Sequence, residues 1–134
     1  MEIKNDFYEM RIDNYKNRVY FKIKGFWRDP NDLSNYLNDW ENVLKRMRQG
    51  FTILTDATEM TAPTRDVVEQ CHVPAQQLVM KKAGRIAEFV SSAITNLSVQ
   101  NLGRMSGMDV LKKSFHTKEE AEAWLDEYML HIYK

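Results

Sequence analysis

Two stretches of alternating apolar and polar residues open the chain. From Phe7 to Asp13 the apolar side chains fall on every second residue, and the same alternation returns from Arg18 to Trp27. A period of two residues predicts a half-buried β-strand in each case. Residues 14–17 have the composition of a turn, so the two strands are predicted to form a β-hairpin. Gly25 predicts a bulge or a close approach of another backbone.

The most regular pattern in the chain is helical. Residues 29–32 break the second strand, and apolar residues then recur from Leu33 to Met47 at intervals of three and four. This spacing predicts an amphipathic helix that Asp32 caps and Gly50 closes. The last turn of the helix carries the cations Lys45, Arg46 and Arg48. They either mark a site for a phosphate or an acidic partner, or complement the helix dipole, which is the simpler interpretation.

The stretch from Phe51 to Thr58 is rich in β-branched and apolar residues. It predicts a central strand that is covered on both faces. We expect this strand to end in a polar loop from Glu59 to Arg65. The next helical stripe ends at Gly84, and we expect it to be kinked or divided near Pro74, because a proline inside a helix removes a backbone hydrogen bond.

The rest of the chain alternates between strand and helix patterns. Strands are predicted over Arg85–Ser92 and Val110–Phe115, with a shorter helix over Ala93–Met105 between them. Residues 117–120 have the form of a capping box and start a terminal helix. The whole order predicts one α/β domain over residues 1–134, with an opening β-hairpin, then βα units, a five-stranded mixed sheet and four main helices.

Composition narrows the classes of partner. The chain has 134 residues, of which 43% are hydrophobic, as expected for one globular domain. Its 19 Lys and Arg residues balance its 19 Asp and Glu residues. This balance argues against nucleic acid as the main partner, because phosphate binding needs a concentrated basic surface. The sequence shows neither a signal peptide nor an apolar run near the roughly 20 residues of a membrane span. We therefore expect a cytoplasmic protein.

Residues that commonly carry catalysis are sparse. Cys71 is the only cysteine, which excludes an intrachain disulfide. The histidines His72, His116 and His131 show no metal-ligand spacing. The common nucleotide-binding, zinc-protease and serine-hydrolase motifs do not occur. We expect no catalysis, no metal and no cofactor.

Two stretches resemble a known superfamily. One is Phe51-Thr52-Ile53-Leu54-Thr55-Asp56, which follows the helix that contains Trp40. The other runs from Ser114 to Leu125 and is similar to the pattern F-x-T-x-E-E-A-x-x-W-L. With the order of elements, these stretches resemble the STAS/SpoIIAA-like superfamily, and most of all its bacterial SpoIIAA-like members of about this length. The resemblance implies stacked β-α units and a non-catalytic regulatory or ligand-binding role.

The regulatory loop of that superfamily has no clear equivalent here. In its anti-sigma-factor antagonists, a D-S-S-G turn after the central strand presents a phosphorylatable serine. The corresponding residues 58–66 lack that turn and its glycine. Thr61 and Thr64 supply hydroxyl groups, but acidic residues flank them. We predict that neither threonine is a strong kinase target.

A candidate site follows from the predicted topology. In open α/β sheets, ligands collect outside the carboxyl ends of parallel strands. The polar and aromatic residues expected there are Trp27, Asp29, Asp56, Thr58, Thr61, Thr64, Ser92, Thr95 and Asn96. They could hold an anion at helix N-termini, or serve only as caps and turn residues, which is the simpler interpretation. Trp27 could line a pocket, be exposed for a partner, or pack at the rim.

Three functions remain open on the sequence alone. The first is a non-catalytic regulatory or protein-interaction module, whose partner is another protein or a second copy in a homodimer. The second is a domain that binds a small apolar or anionic molecule between Trp27 and the loops at Asp56 and Ser92. The third is a hydrolase or transferase that uses Asp29 and Asp56 as an acid/base pair.

Overall fold

A six-stranded mixed sheet organises the computed structural model, which describes residues 1–90 and 111–132. Its strands follow one another across the sheet in sequence order. Strands β1, β2 and β3 pair antiparallel, whereas β3, β4, β5 and β6 pair parallel. The strands are β1 (Glu2–Lys4), β2 (Tyr8–Asp13), β3 (Arg18–Phe26), β4 (Phe51–Thr61), β5 (Ala83–Phe89) and β6 (Lys112–Phe115).

The helices lie on both faces of the sheet. A 3₁₀ turn over Pro30–Leu33 precedes α1, and a π-helical segment over Val68–His72 joins α2 to α3. In the described part of the chain the α-helices are α1 (Tyr36–Leu44), α2 (Arg65–Val67), α3 (Val73–Met80) and α4 (Lys118–Ile132). None of them is long and apolar enough to cross a membrane.

The alternation of side chains along β4 produces two cores. Ile53 joins the larger one, which packs against α1, the π segment and α3, on what we call the three-helix face. Its neighbour Leu54 points the other way and meets Ala121 and Leu125 of α4, on the α4 face. The larger core is aromatic, with the rings of Phe21 and Trp40 5.1 Å apart between centroids. A central strand covered on both faces is confirmed.

Two expectations about the strands were wrong. Within the described residues the sheet has six strands rather than five, because Glu2–Lys4 pairs with β2; a three-residue strand is too short to show a period. The expected loop from Glu59 to Arg65 is strand as far as Thr61, since β4 continues to pair with β3. Between the pairs Lys22–Asp56 and Lys24–Glu59, β4 holds one residue more than β3, which is a β-bulge.

The bulge lies in β4 and not at Gly25. Gly25 instead has a φ of 66°, a conformation that glycine adopts without steric cost.

The helices depart from their predicted limits at the ends. The 3₁₀ turn replaces the first part of the first predicted helix, and Asp29 caps that turn, so Asp32 is not the N-cap. The division near Pro74 is confirmed: Pro74 lies in the first turn of α3, directly after the π segment. There the Val73 amide donates to the Val68 carbonyl five residues back. The helix predicted over residues 93–105 lies outside the described residues.

A buried charge network fixes α4 to the sheet. The Arg18 side chain is 0% exposed, and its Nη1 lies 2.9 Å from Asp126 Oδ1 and 3.2 Å from Glu122 Oε2. Its Nε donates to Thr52 Oγ1 at 2.9 Å. Lys16 approaches the same two carboxylates at 3.2 and 3.4 Å. Arg18 of β3 and Lys16 of the preceding turn therefore bind the two carboxylates of α4 and hold this helix against the sheet.

Replacing Arg18 with alanine should weaken the attachment of α4. Breaking a fully buried ion pair costs about 3–5 kcal/mol. The Asp126 side chain is 43% exposed, so the carboxylates keep part of their hydration. We therefore expect the free energy of unfolding in urea to fall by about 2 kcal/mol. The matched control is Lys16→Ala, whose side chain is 30% exposed and should cost about 1 kcal/mol or less. Equal losses from the two substitutions would contradict the central position of Arg18.

Candidate functional site

A groove of about 270 Å³ opens on the α4 face of the sheet, beside the start of α4. Strands β1 to β5 and the first residue of α4 contribute to it. The lining residues are Glu2, Glu9, Met10, Arg11, Tyr20, Phe21, Lys22, Leu54, Asp56, Phe89 and Lys118.

The register of the strands explains this lining. Two rows of directly opposed residues cross the α4 face, because residues two apart in a strand share a face. The first row is Lys4, Glu9, Lys22, Asp56 and Phe89, and the second is Glu2, Arg11, Tyr20, Leu54 and Ala87. Both rows begin with alternating charges at β1 and become apolar by β5. The groove therefore has a charged half and an aromatic, apolar half.

Ion pairs within the sheet fix two of the groove's charges. Lys24 Nζ lies 3.1 Å from Glu9 Oε2, and this hydrogen bond lowers the pKa of the Glu9 carboxyl. Lys22 forms an ion pair with Glu59, which raises the pKa of its ammonium group. Both groups remain charged at neutral pH, so the charged half of the groove keeps its pattern.

Tyr20 forms the centre of the groove floor. The Arg11 guanidinium carbon lies 4.1 Å from the centroid of its ring, and Lys118 Nζ lies 5.8 Å from it. The Tyr20 hydroxyl donates to Glu122 Oε1 at 2.5 Å. Burial, together with this carboxylate, raises the pKa of Tyr20, so the phenol stays protonated. The hydroxyl bond thus holds the aromatic ring in place, and two cations lie within about 6 Å of it.

Among the predicted site residues in the described part of the chain, Asp56 alone lines the groove. Its Oδ1 accepts from the Thr58 amide at 2.9 Å and from the Thr58 hydroxyl at 2.6 Å. These bonds close a local turn at the bulge of β4. Asp56 and Thr58 therefore lie close together, as predicted, and their hydrogen bonds stabilise the local backbone of β4.

The remaining described residues of the predicted site lie elsewhere. Asp29 is exposed, and its Oδ1 accepts from the Asn31 amide at 2.9 Å, as a cap does. Thr64 caps α2 by accepting from the Val67 amide at 3.4 Å, and its hydroxyl donates to the Arg28 carbonyl at 3.1 Å. Thr61 is exposed at the end of β4. Ser92, Thr95 and Asn96 lie outside the described residues.

Trp27 belongs to the core. Its side chain is 1% exposed, its indole nitrogen donates to the Phe7 carbonyl at 2.9 Å, and its ring centroid lies 5.2 Å from that of Tyr36. It is neither exposed for a partner nor among the groove residues.

Sequence reasoning missed most of the groove. The alternation along the hairpin places Glu9, Arg11 and Lys22 on the polar side of two half-buried strands, and the capping box places Lys118 at a helix start. The register of β1 to β4 brings the three strand residues together. The contribution of β1 to that register has no sequence signal, because a three-residue strand shows no period.

A second polar cluster is buried on the three-helix face. Gln76 Nε2 donates to the Tyr36 hydroxyl at 3.3 Å, and that hydroxyl lies 3.0 Å from His72 Nδ1. Because the hydroxyl already accepts from Gln76, it is placed to donate to a neutral His72. Burial, reinforced by the charge of Lys112, lowers the pKa of His72 to about 3. The imidazole is therefore held neutral at physiological pH.

Lys112 also belongs to a buried ion pair. Its Nζ lies 3.3 Å from Oε1 of Glu88, whose side chain is 3% exposed, and Ser114 Oγ donates to the same oxygen at 3.0 Å. Burial raises the pKa of the Glu88 carboxyl despite these partners.

The two aspartates of the catalytic hypothesis each form a local hydrogen bond. Oδ1 of Asp29 and Oδ1 of Asp56 each accept from a nearby backbone amide, and His72 is buried beside Tyr36. Among the described residues, no group of three or more His, Cys, Asp and Glu side chains is placed to hold a metal ion.

The fold is shared with a solved structure. An uncharacterised protein of the DUF3478 family from Shewanella loihica PV-4, described as having a SpoIIAA-like fold, matches with a TM-score of 0.65 and 16% sequence identity. The match covers 93% of this chain and 98% of that one. No protein-family model and no curated protein matches. At this identity the likeness shows the fold alone, and it confirms the SpoIIAA-like fold that the resemblance implies.

The neutral His72 predicts a loss of stability in acid. The pKa of His72 is about 3 in the folded chain, against an ordinary value of 6.5. Below pH 6.5 the unfolded chain therefore binds a proton at His72 more readily than the folded chain does. The free energy of unfolding should therefore fall as the pH drops from 6.5 towards 3. The expected slope is at most about 1.4 kcal/mol per pH unit.

Urea unfolding of the wild type and of His72→Gln at about pH 7 and about pH 5 tests this slope. The glutamine variant cannot titrate, so it should lose less stability over the interval, by about 2 kcal/mol. The raised pKa of Glu88 acts in the opposite direction in both proteins, and the comparison cancels it. An identical pH dependence of the two proteins would show that His72 titrates normally in the folded state.

Proposed function

We propose that this protein is a non-catalytic regulatory module that recognises a segment of a partner protein in the groove on the α4 face. The observation that carries the proposal is the groove lining, in which three carboxylates and three cations surround a floor of Tyr20, Leu54 and Phe89. Such a surface offers both charge complementarity and apolar contact, the two ingredients of a protein interface.

The charge pattern supports a polypeptide as the occupant. Carboxylates and cations alternate across β1, β2 and β3, so the charged half of the groove has no strong net sign. A partner that carries both signs, with an apolar side chain to contact Phe89, complements this pattern. Alternating charges also fix the register of a partner, because a shifted segment would bring like charges together.

The size of the groove supports the same choice. A volume of about 270 Å³ falls just below the range of about 300–1,000 Å³ that is typical of drug-sized ligands. It accommodates a few side chains of a partner that spreads beyond it over the neighbouring strands. The SpoIIAA-like fold is compatible with this role, and the superfamily resemblance motivates the regulatory part of it.

A small anionic ligand is the second candidate. The specific observation in its favour is that Arg11 and Lys118 both approach the Tyr20 ring, at 4.1 and 5.8 Å. A carboxylate or phosphate between these two cations would be held by charge and would lie against an aromatic surface.

One experiment separates the two candidates. The full chain, Arg11→Ala with Lys118→Ala, and a control are used as baits in an extract of the source cells. The control is Arg28→Ala with Arg65→Ala, which removes the same charge from side chains outside the groove lining. Mass spectrometry quantifies the recovered proteins, and native mass spectrometry detects ligands or a second copy of the chain.

We expect at least one protein to bind the wild type and the control, and to be recovered about tenfold less with the groove variant, since losing central contacts costs more than about 1 kcal/mol. If the groove variant instead loses only a bound small anion, the second candidate is correct. Recovery of the same proteins and ligands with all three baits would refute the groove as the binding surface.

A further inference from the structure

Two helix ends meet at the edge of the sheet where the parallel strands begin. The chain leaves α1 at Leu44 to enter β4, and leaves α3 at Met80 to enter β5. The Gly50 amide donates to the Lys82 carbonyl at 2.8 Å, and Lys82 Nζ donates to the Leu44 carbonyl at 2.8 Å. These contacts join the two turns into one surface.

That surface is strongly basic. We call it the basic edge, and it consists of Lys45, Arg46, Arg48, Lys81 and Lys82. All are exposed except Lys82, which is half-buried. The sequence has no acidic residue between Glu41 and Asp56, or between Glu69 and Glu88. In the part of the chain that the structure describes, Lys45, Arg46, Lys81 and Lys82 form no ion pair with a carboxylate within 4.0 Å.

The helix dipole explains only part of this clustering of cations at the basic edge. Lys82 does satisfy a carbonyl at the end of α1, as cations at helix C-termini do. Lys45, Arg46 and Lys81 are exposed, and none of them forms an ion pair with a carboxylate in the described part of the chain. The chain as a whole has no net charge, so this cluster is a local segregation of charge and not a consequence of a basic protein.

An exposed aromatic side chain lies beside the basic edge. Tyr15 is 88% exposed in the turn between β2 and β3. That turn is fixed to the basic edge, because the Arg48 amide donates to Asn17 Oδ1 at 2.9 Å and Asn17 Nδ2 donates to the Arg48 carbonyl at 3.2 Å. An exposed tyrosine near Arg48 has the composition of an interface hot spot.

We propose that the basic edge, with Tyr15, is a docking surface for an acidic polypeptide segment. Charge complementarity selects the sign of the partner, and Tyr15 gives an apolar side chain of the partner something to contact. The cations are confined to two short turns, whereas a nucleic acid requires a longer basic stripe. Tyr15 is the only large exposed hydrophobic residue among the described residues of this surface, which favours a polypeptide over a lipid surface.

This surface is distinct from the groove on the α4 face, and none of its residues lines the groove. The proposal therefore does not depend on the proposed function. The variant Arg11→Ala with Lys118→Ala should bind an acidic segment as the wild type does, so failure of one proposal leaves the other standing.

Fluorescence anisotropy with labelled peptides tests the docking surface on the full chain. The probes are an oligo-glutamate peptide that contains one leucine and its glutamine counterpart. The basic-edge variant combines Lys45→Gln, Arg46→Gln and Lys81→Gln. The matched control combines Arg28→Gln, Arg65→Gln and Lys113→Gln, which changes the net charge equally at exposed positions elsewhere.

We expect the glutamate peptide to bind the wild type and the control alike, and the basic-edge variant at least about tenfold more weakly. Tyr15→Ala should weaken binding about threefold or more, and added salt should weaken binding to the wild type. Circular dichroism checks the fold, and the salt dependence of wild-type binding gives a second readout if a variant unfolds.

Three results would overturn the proposal. The glutamine peptide could bind the wild type as tightly as the glutamate peptide does, or the control variant could bind the glutamate peptide as weakly as the basic-edge variant does. In the third case, the wild type binds duplex DNA or phosphatidylserine vesicles but does not bind the glutamate peptide. The last result would assign the surface to one of those two anionic partners.

Discussion

Strand β4 is hydrogen-bonded to β3 along one side and to β5 along the other, and its side chains from Phe51 to Thr55 are buried on both faces of the sheet. Ile53 enters the aromatic core beneath α1 and α3, and Leu54 enters the small core beneath α4. Among the described residues the second core has four buried members, with four half-buried aromatic residues packed against it, so it is much smaller than the first. The charge network around Arg18 adds to the attachment of α4, as does Arg85, whose Nη1 donates to the Trp124 carbonyl at 3.1 Å.

The bulge in β4 lies directly beyond the groove, after Asp56. By adding one residue between Asp56 and Glu59, it shifts the pairing of β4 with β3 and brings Glu59 to the ammonium group of Lys22. Asp56 stabilises the bulge through its two bonds to Thr58. Asp56 thus stabilises the local backbone, and its pairing with Lys22 and Phe89 places it in the groove lining.

The charged residues are distributed unevenly, although the formal net charge of the chain is zero. On the α4 face, opposite charges alternate between neighbouring strands, and Glu9 and Lys22 form ion pairs with Lys24 and Glu59. At the basic edge, two helix ends contribute cations without any acidic neighbour in either turn. The same total composition therefore yields one surface suited to a partner of mixed charge and another suited to an acidic partner. A net charge near zero therefore excludes neither kind of partner.

Local pattern determined the elements whose residues repeat with a clear period: the hairpin, the helix that contains Trp40, the buried strand β4 and the terminal helix capped by Thr117. The division of the helix before Pro74 also follows from the chain, because proline cannot donate to a helical ladder. Other features depend on the register of the strands and on contacts between residues that are distant in sequence, and only the tertiary structure decided these. It paired Glu2–Lys4 with β2, extended β4 to Thr61, buried Trp27, and brought Lys81 and Lys82 to the end of α1. Local sequence carries no signal for those pairings, since each is stabilised by partners that only the folded chain brings together.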